Sequence, residues 1–179
     1  MIICCTADCI PLLIQQKVDG SDIFNRSWEE FKVGFSDSRG NYWLGNELLH
    51  QLTYNGPYKL RVDVQAHNLT WYYAEYNTFS VYSEALKYQL SVSGYSGNAG
   101  DALSYQNGMM FTTYDRDNDP WIYSPHKNNC AVYFSGGFWY KTCAFAGVNA
   151  ARDPFNKFKW ESSERVIMLL KSSRMWLVC

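Results

Sequence analysis

The sequence predicts an α+β domain: a central twisted antiparallel sheet, two short helices beside it, and a large irregular subdomain. Three observations carry that prediction. Residues 58–93 hold closely spaced segments in which apolar and polar side chains alternate, the pattern of half-buried strands joined by short turns. Residues 165–178 return to an apolar, strand-like pattern. Between the two, residues 101–160 are irregular, with Gly, Asn, Asp and Pro throughout.

In chain order, residues 1–9 are a cysteine-rich start with no assignable structure, and residues 10–18 read as a strand closed by the turn signal Asp19-Gly20. Ser27-Trp28-Glu29-Glu30 is a capping box that opens a short helix, with Trp28 and Phe31 on one face. Asn46 is expected to cap a second helix over 47–52, whose Leu48, Leu49 and Leu52 are apolar. In 58–64, Leu60, Val62 and Val64 face one way and Lys59, Arg61 and Asp63 the other. Residues 69–82 supply one or two more strands, and 86–93 alternate again through Leu86, Tyr88, Leu90 and Val92. The glycine-rich run 94–101 marks the end of the sheet region.

At 179 residues the chain fits one domain, large enough to bury about 70% of its unfolded surface. A net charge of −1 without any Lys/Arg run argues against nucleic acid as a partner. No apolar run is long enough to insert into a membrane. The six cysteines, Cys4, Cys5, Cys9, Cys130, Cys143 and Cys179, include no C-x-x-C pair, which argues against a zinc ribbon. Asn25-Arg-Ser27 and Asn68-Leu-Thr70 are glycosylation sequons, and with the cysteines they favour an oxidising, extracellular setting. Residues 1–15 lack the order of a secretory signal, so the N-terminus is expected to be incomplete or to belong to a mispredicted or truncated gene product. No enzymatic motif occurs, and His50, His67 and His126 are scattered in sequence.

The segment with chemistry in it runs from Asp115 to Cys143. Asp115, Asp117 and Asp119 alternate, and such carboxylates repel one another unless a cation sits among them. Oxygen-only donors favour calcium. An EF-hand does not fit, because Pro120 falls at the turn-glycine position and His126 at the bidentate Glu position. The other reading, that the aspartates close ordinary Asx turns, stays open at this point.

D-x-D-N-D, then N-C-A, then G-G-F-W-Y-x-x-C resembles the fibrinogen-related domain of fibrinogen, ficolins, tachylectins, tenascins and angiopoietins. Upstream, I-Q-Q-K-V-D-G-S at 14–21, F-N-R-S-W at 24–28, Y-W-L-G-N at 42–46, Y-K-L-R-V at 58–62, G-Y-S-G-N-A-G-D at 94–101 and F-T-T-Y-D at 111–115 resemble the family's motifs in order. The resemblance covers residues 14–178, with the domain assigned to 10–179 and its N-terminal part missing. It implies calcium held by Asp117, Asp119 and carbonyls at Trp121 and Tyr123, with Asp115 outside the shell. It also implies a Cys130–Cys143 disulfide, a cis Thr142–Cys143 peptide and a ligand pocket at Phe134, Thr142, Cys143, Ala144 and Phe155. Phe138 and Trp139 are read either as pocket aromatics or as plain packing. Two positions depart from the family: Ala144 stands where it has His, and G-V-N-A at 147–150 where it has N-L-N-G.

The function so implied is a secreted, calcium-dependent, lectin-like recognition module for acetylated carbohydrate, as in innate immunity. The alternatives are a protein-interaction module of the matrix or growth-factor type, or a truncated fragment without function. The partner is then an acetylated carbohydrate or an extracellular protein ligand, and upstream segments would supply oligomerisation.

Overall fold

The structure is a computed structural model that describes residues 10–19, 21, 23–54, 56–122, 129–151 and 157–178. Its main sheet has eight strands, all antiparallel. In chain order they are β1 (Leu12–Lys17), β2 (Phe35–Ser36), β3 (Tyr42–Trp43), β4 (Lys59–Ala66), β5 (Trp71–Val81), β6 (Leu90–Gly97), β9 (Lys159–Glu161) and β10 (Ile167–Val178). A separate two-stranded ladder joins β7 (Phe111–Thr112) to β8 (Phe138–Trp139). The spatial order is β2-β3-β1-β10-β4-β5-β6, with β9 paired to the start of β10. The last strand in sequence therefore lies at the centre, with Leu177 opposite both Leu12 of β1 and Leu60 of β4.

Strand β4 shows why the alternation holds. Leu60, Val62 and Val64 are buried in the core. On the other face Arg61 pairs with Asp63 at 2.9 Å and with Glu75 of β5 at 3.0 Å. Residues 69–82 form one strand, β5, not two. Leu86 lies in a 3-10 turn (Glu84–Leu86), and β6 starts later, at Leu90, and runs on to Gly97 inside the glycine-rich segment.

Helix α1 (Trp28–Val33) carries the reciprocal capping box of Ser27 and Glu30, and it buries Trp28 and Phe31. Helix α2 (Asn46–Thr53) corrects the expected cap. Gly45 is the N-cap residue, and Asn46 is the first helical residue, fully buried, with neither side-chain polar atom partnered. Gly45 sits at φ 110°, and a Cβ there would come within 2.9 Å of the Lys32 and Val33 backbone at the end of α1. The close approach of the two helices thus fixes glycine at this position.

Beside the short β7–β8 ladder, the irregular region is held by buried amides. Gln106 donates to the Trp139 carbonyl and accepts from the Ala146 N–H at 2.7 Å. Asn149 donates to the Gly137 carbonyl at 2.9 Å and accepts from Gln15 of β1 at 3.0 Å. Each satisfies backbone groups that would be costly to bury unpaired.

Candidate ligand pocket and aspartate loop

A third helix, α3 (Cys130–Phe134), forms inside the segment read as irregular. Its N-cap Asn129 accepts from the Val132 N–H at 3.1 Å and donates to the Thr113 carbonyl at 2.9 Å. Cys130 and Cys143 form a disulfide with a Cα–Cα distance of 5.4 Å, and the Thr142–Cys143 peptide is cis. The bridge ties α3 to the chain leaving β8.

Asp115 reaches out of its loop. Its Oδ1 accepts from the Trp28 N–H at the start of α1, 2.9 Å away, and from the Thr113 hydroxyl at 2.8 Å. Asp117 Oδ1 accepts from the Asp119 N–H at 3.2 Å, and Asp119 Oδ1 accepts from the Trp121 N–H at 3.0 Å, giving two consecutive Asx turns. The second oxygen of Asp119 accepts from the Cys130 N–H at 2.9 Å. Burial pushes the Asp119 carboxyl up to about 6, and the neighbouring Asp117 pushes the same way, against the pull of the Cys130 and Trp121 N–H groups. Among the described residues no three His, Cys, Asp or Glu side chains converge as a metal cluster. A cation here would need backbone carbonyls as well. Trp121 lies beside Asp119, and Tyr123 lies outside the described residues.

Beside this loop is a surface pocket of about 310 Å³. It brings together four of the residues expected from sequence: Phe134, Thr142, Cys143 and Ala144. The fifth, Phe155, lies outside the described residues. Phe138 and Trp139 are buried in the core and do not line the pocket. The aromatic wall continues through Trp121, Tyr133 and Phe145, with the Trp121 and Tyr133 rings 5.6 Å apart.

Sequence reading missed the charged rim. Lys159 and Glu161 of β9 pair at 2.7 Å, and Arg165 reaches Glu161 at 3.2 Å. Burial raises the Glu161 carboxyl, but the two cations outweigh it and hold the group below its ordinary range. Arg165 also lies over the Phe145 ring at 4.7 Å, and Phe145 stacks on Tyr105 at 4.0 Å. The Tyr105 hydroxyl meets the Thr142 hydroxyl at 2.6 Å, which steadies the pocket floor. The only sequence signal for this rim was the i, i+2 spacing of Lys159 and Glu161, too short to read as a strand. The two sequon residues, Asn25 and Asn68, are exposed.

A loop-built pocket on a disulfide-pinned α+β domain is the form of a recognition module. The model of the C-terminal globular domain of fibrinogen beta and gamma chains matches residues 6–171, and the chain belongs to that family. Fibrinogen beta chain of Gallus gallus is 37% identical over 177 residues, covering 85% of this chain and 38% of its own length. Ficolin-3 of Homo sapiens is 42% identical, covering 77% of this chain and 45% of itself. The fibrinogen-like globe domain of human ANGPTL2 superposes with a TM-score of 0.84 at 35% identity, covering 97% of this chain and 82% of that one. The chain thus spans less than half the length of these two full-length relatives. Members of the family are non-enzymatic recognition or structural modules. No helix among the described residues is long and apolar enough to cross a membrane.

Proposed function

We propose that this domain is a secreted, calcium-dependent recognition module whose pocket takes an acetyl group or a similarly small group on a carbohydrate, with glycans of its own at Asn25 and Asn68. The observation that carries the reading is the direct link between pocket and aspartate loop. Asp119 accepts from Cys130, Cys130 is bridged to Cys143 in the pocket floor, and Trp121 belongs to both. The aromatic wall suits a methyl group, and the rim cations suit a carbonyl or carboxylate oxygen.

Calcium fits the donor chemistry. Two adjacent carboxylates, one of them half-buried, are relieved by a cation, and oxygen-only donors favour a hard one. Asp117 and Asp119 would hold it with the carbonyls of Trp121 and Tyr123. The ion would supply charge that fixes the loop beside the pocket, without touching the ligand. The test is retention on acetylated resin in calcium, with elution by acetate or by chelator. Retention that Phe134→Ala leaves unchanged, or that survives both eluents, would overturn the reading.

A second reading has its own support. Ala144 offers the pocket no side-chain hydrogen-bonding group, and Glu161 keeps both rim cations paired. Both features suit contact with an extracellular protein, as in a matrix or growth-factor module. Failure on acetylated resin, together with binding to such a protein that Arg165→Glu abolishes, would favour it.

A further inference from the structure

A second cleft of about 640 Å³ lies on the far side of the turn that joins β9 to β10. One wall is the glycine-rich turn at the end of β6, and the other is residues 162–166. The two walls are fixed to each other. Ser163 N–H donates to the Asp101 carbonyl at 2.8 Å. Trp160 Nε1 donates to the Gly100 carbonyl at 2.9 Å. A Cβ on Gly100 would come within 2.5 Å of Ser162.

The floor carries the rings of Tyr72 and Tyr95 with Met168, at the open end of the core face of the sheet. Tyr76, buried behind it, donates to Asp101 Oδ1 at 2.9 Å, and Ser104 N–H donates to the same oxygen at 3.2 Å. Asp101 is thus held by one oxygen with the other left over. Asn98 is held likewise, its Oδ1 accepting from the Tyr73 N–H at 2.8 Å. Among the described residues, Asp101 Oδ2, the Asn98 amide nitrogen, the Tyr72 hydroxyl and the Glu164 carboxylate make no hydrogen bond to protein.

We infer that this cleft is a saccharide site, taking neutral sugar units that carry no acetyl or acid group. Charge and donor inventory select the class. The ionised groups of the lining are Asp101 and Glu164, with no Lys, Arg or His, so an anion is rejected. An ammonium-type cation donates only, so it would pair with the carboxylates but give the Asn98 amide and the Tyr72 hydroxyl protons no acceptor of its own. An apolar ligand would cover the second oxygen of Asp101 and the Glu164 carboxylate without pairing them. Sugar hydroxyls both donate and accept, and the apolar face of a pyranose matches a tyrosine ring. The volume falls within the range of small-molecule sites, about 300–1,000 Å³. The turn at 162–166 is a shared wall, because Arg165 lines the first pocket while Glu164 and Val166 line the second.

The test is ligand-observed NMR on the whole chain with mannotetraose, maltotetraose, cellotetraose and galactotetraose at millimolar concentration. At least one is expected to bind saturably, and Tyr72→Ala and the exposed-site variant Glu164→Lys are each expected to weaken it by about tenfold or more. Phe134→Ala, in the first pocket, is expected to leave that binding unchanged. Near-UV circular dichroism checks that each variant is folded. No binding by any of the four overturns the inference, as does binding that Glu164→Lys leaves intact, that Phe134→Ala removes, or that lysine amide displaces. Binding to acetylated resin reads the first pocket alone, so the two readings fail separately.

Discussion

Removing the disulfide with the double variant Cys130→Ala, Cys143→Ala tests how the pocket is held. The two cysteines are 13 residues apart, and on the chain-entropy model closing such a loop stabilises by about 3 kcal/mol. Both are buried, at 0% and 8% exposure, and replacing both at once leaves no unpaired thiol at the site. For a domain of this size each kcal/mol moves Tm by about 2–4 °C, which predicts a fall of about 6–12 °C. Urea unfolding at fixed calcium measures the free energy directly. The loss should be larger locally than globally, because the Cys130 N–H that Asp119 accepts sits at the bridge. Hydrogen exchange at 130–134 and retention on acetylated resin should therefore fail before the sheet loosens. If Tm drops by less than about 2 °C and retention is unchanged, the bridge does not hold the pocket and the link between pocket and aspartate loop is refuted.

Calcium at about 1 mM should raise Tm by about 1–6 °C, if affinity lies in the range of extracellular modules at about 10⁻⁴–10⁻³ M. Asp117→Ala or Asp119→Ala should abolish the rise in differential scanning calorimetry, and a flat wild-type response would remove calcium from the account. Asp115→Ala should keep most of the rise but lower the calcium-free Tm, because its carboxylate accepts from Trp28 N–H at the start of α1. Asp19 bears on pH dependence. Burial raises its carboxyl, but hydrogen bonds from Ser21, Asn41 and Arg39 outweigh this and hold it at about 2. Its folded value lies below the unfolded one, so the stability it adds is present above about pH 4 and lost as pH falls towards 2. The side chain is 33% exposed, so Asp19→Asn should cost only about 1 kcal/mol at pH 7 and only a small part of that near pH 2 in urea titrations. Tyr76→Phe removes a hydroxyl that donates to Asp101 and accepts from the Leu103 N–H at 3.1 Å. It should cost about 1–3 kcal/mol in the same titrations.

Local chemistry was legible wherever it acts over a few residues. The capping box at Ser27 and Glu30 and the alternation of Leu60, Val62 and Val64 depend on near neighbours, and residue type at short spacing identified the first and periodicity the second. The order of motifs from Ile14 onwards identified the family. Tertiary packing decided the rest. Asn46 looked like a cap from its type, yet the approach of Lys32 and Val33 leaves room only for Gly45 at that turn. Nothing local places residues 167–178 between β1 and β4, because that pairing joins segments more than a hundred residues apart. The rim of Lys159, Glu161 and Arg165 follows from it. Pairing β9 to the start of β10 carries these charges to Cys143 and Phe134, and places Glu164 across the turn from them. Which side chains share a pocket is set by how distant strands register, and register is fixed by burying one face of each strand against all the others.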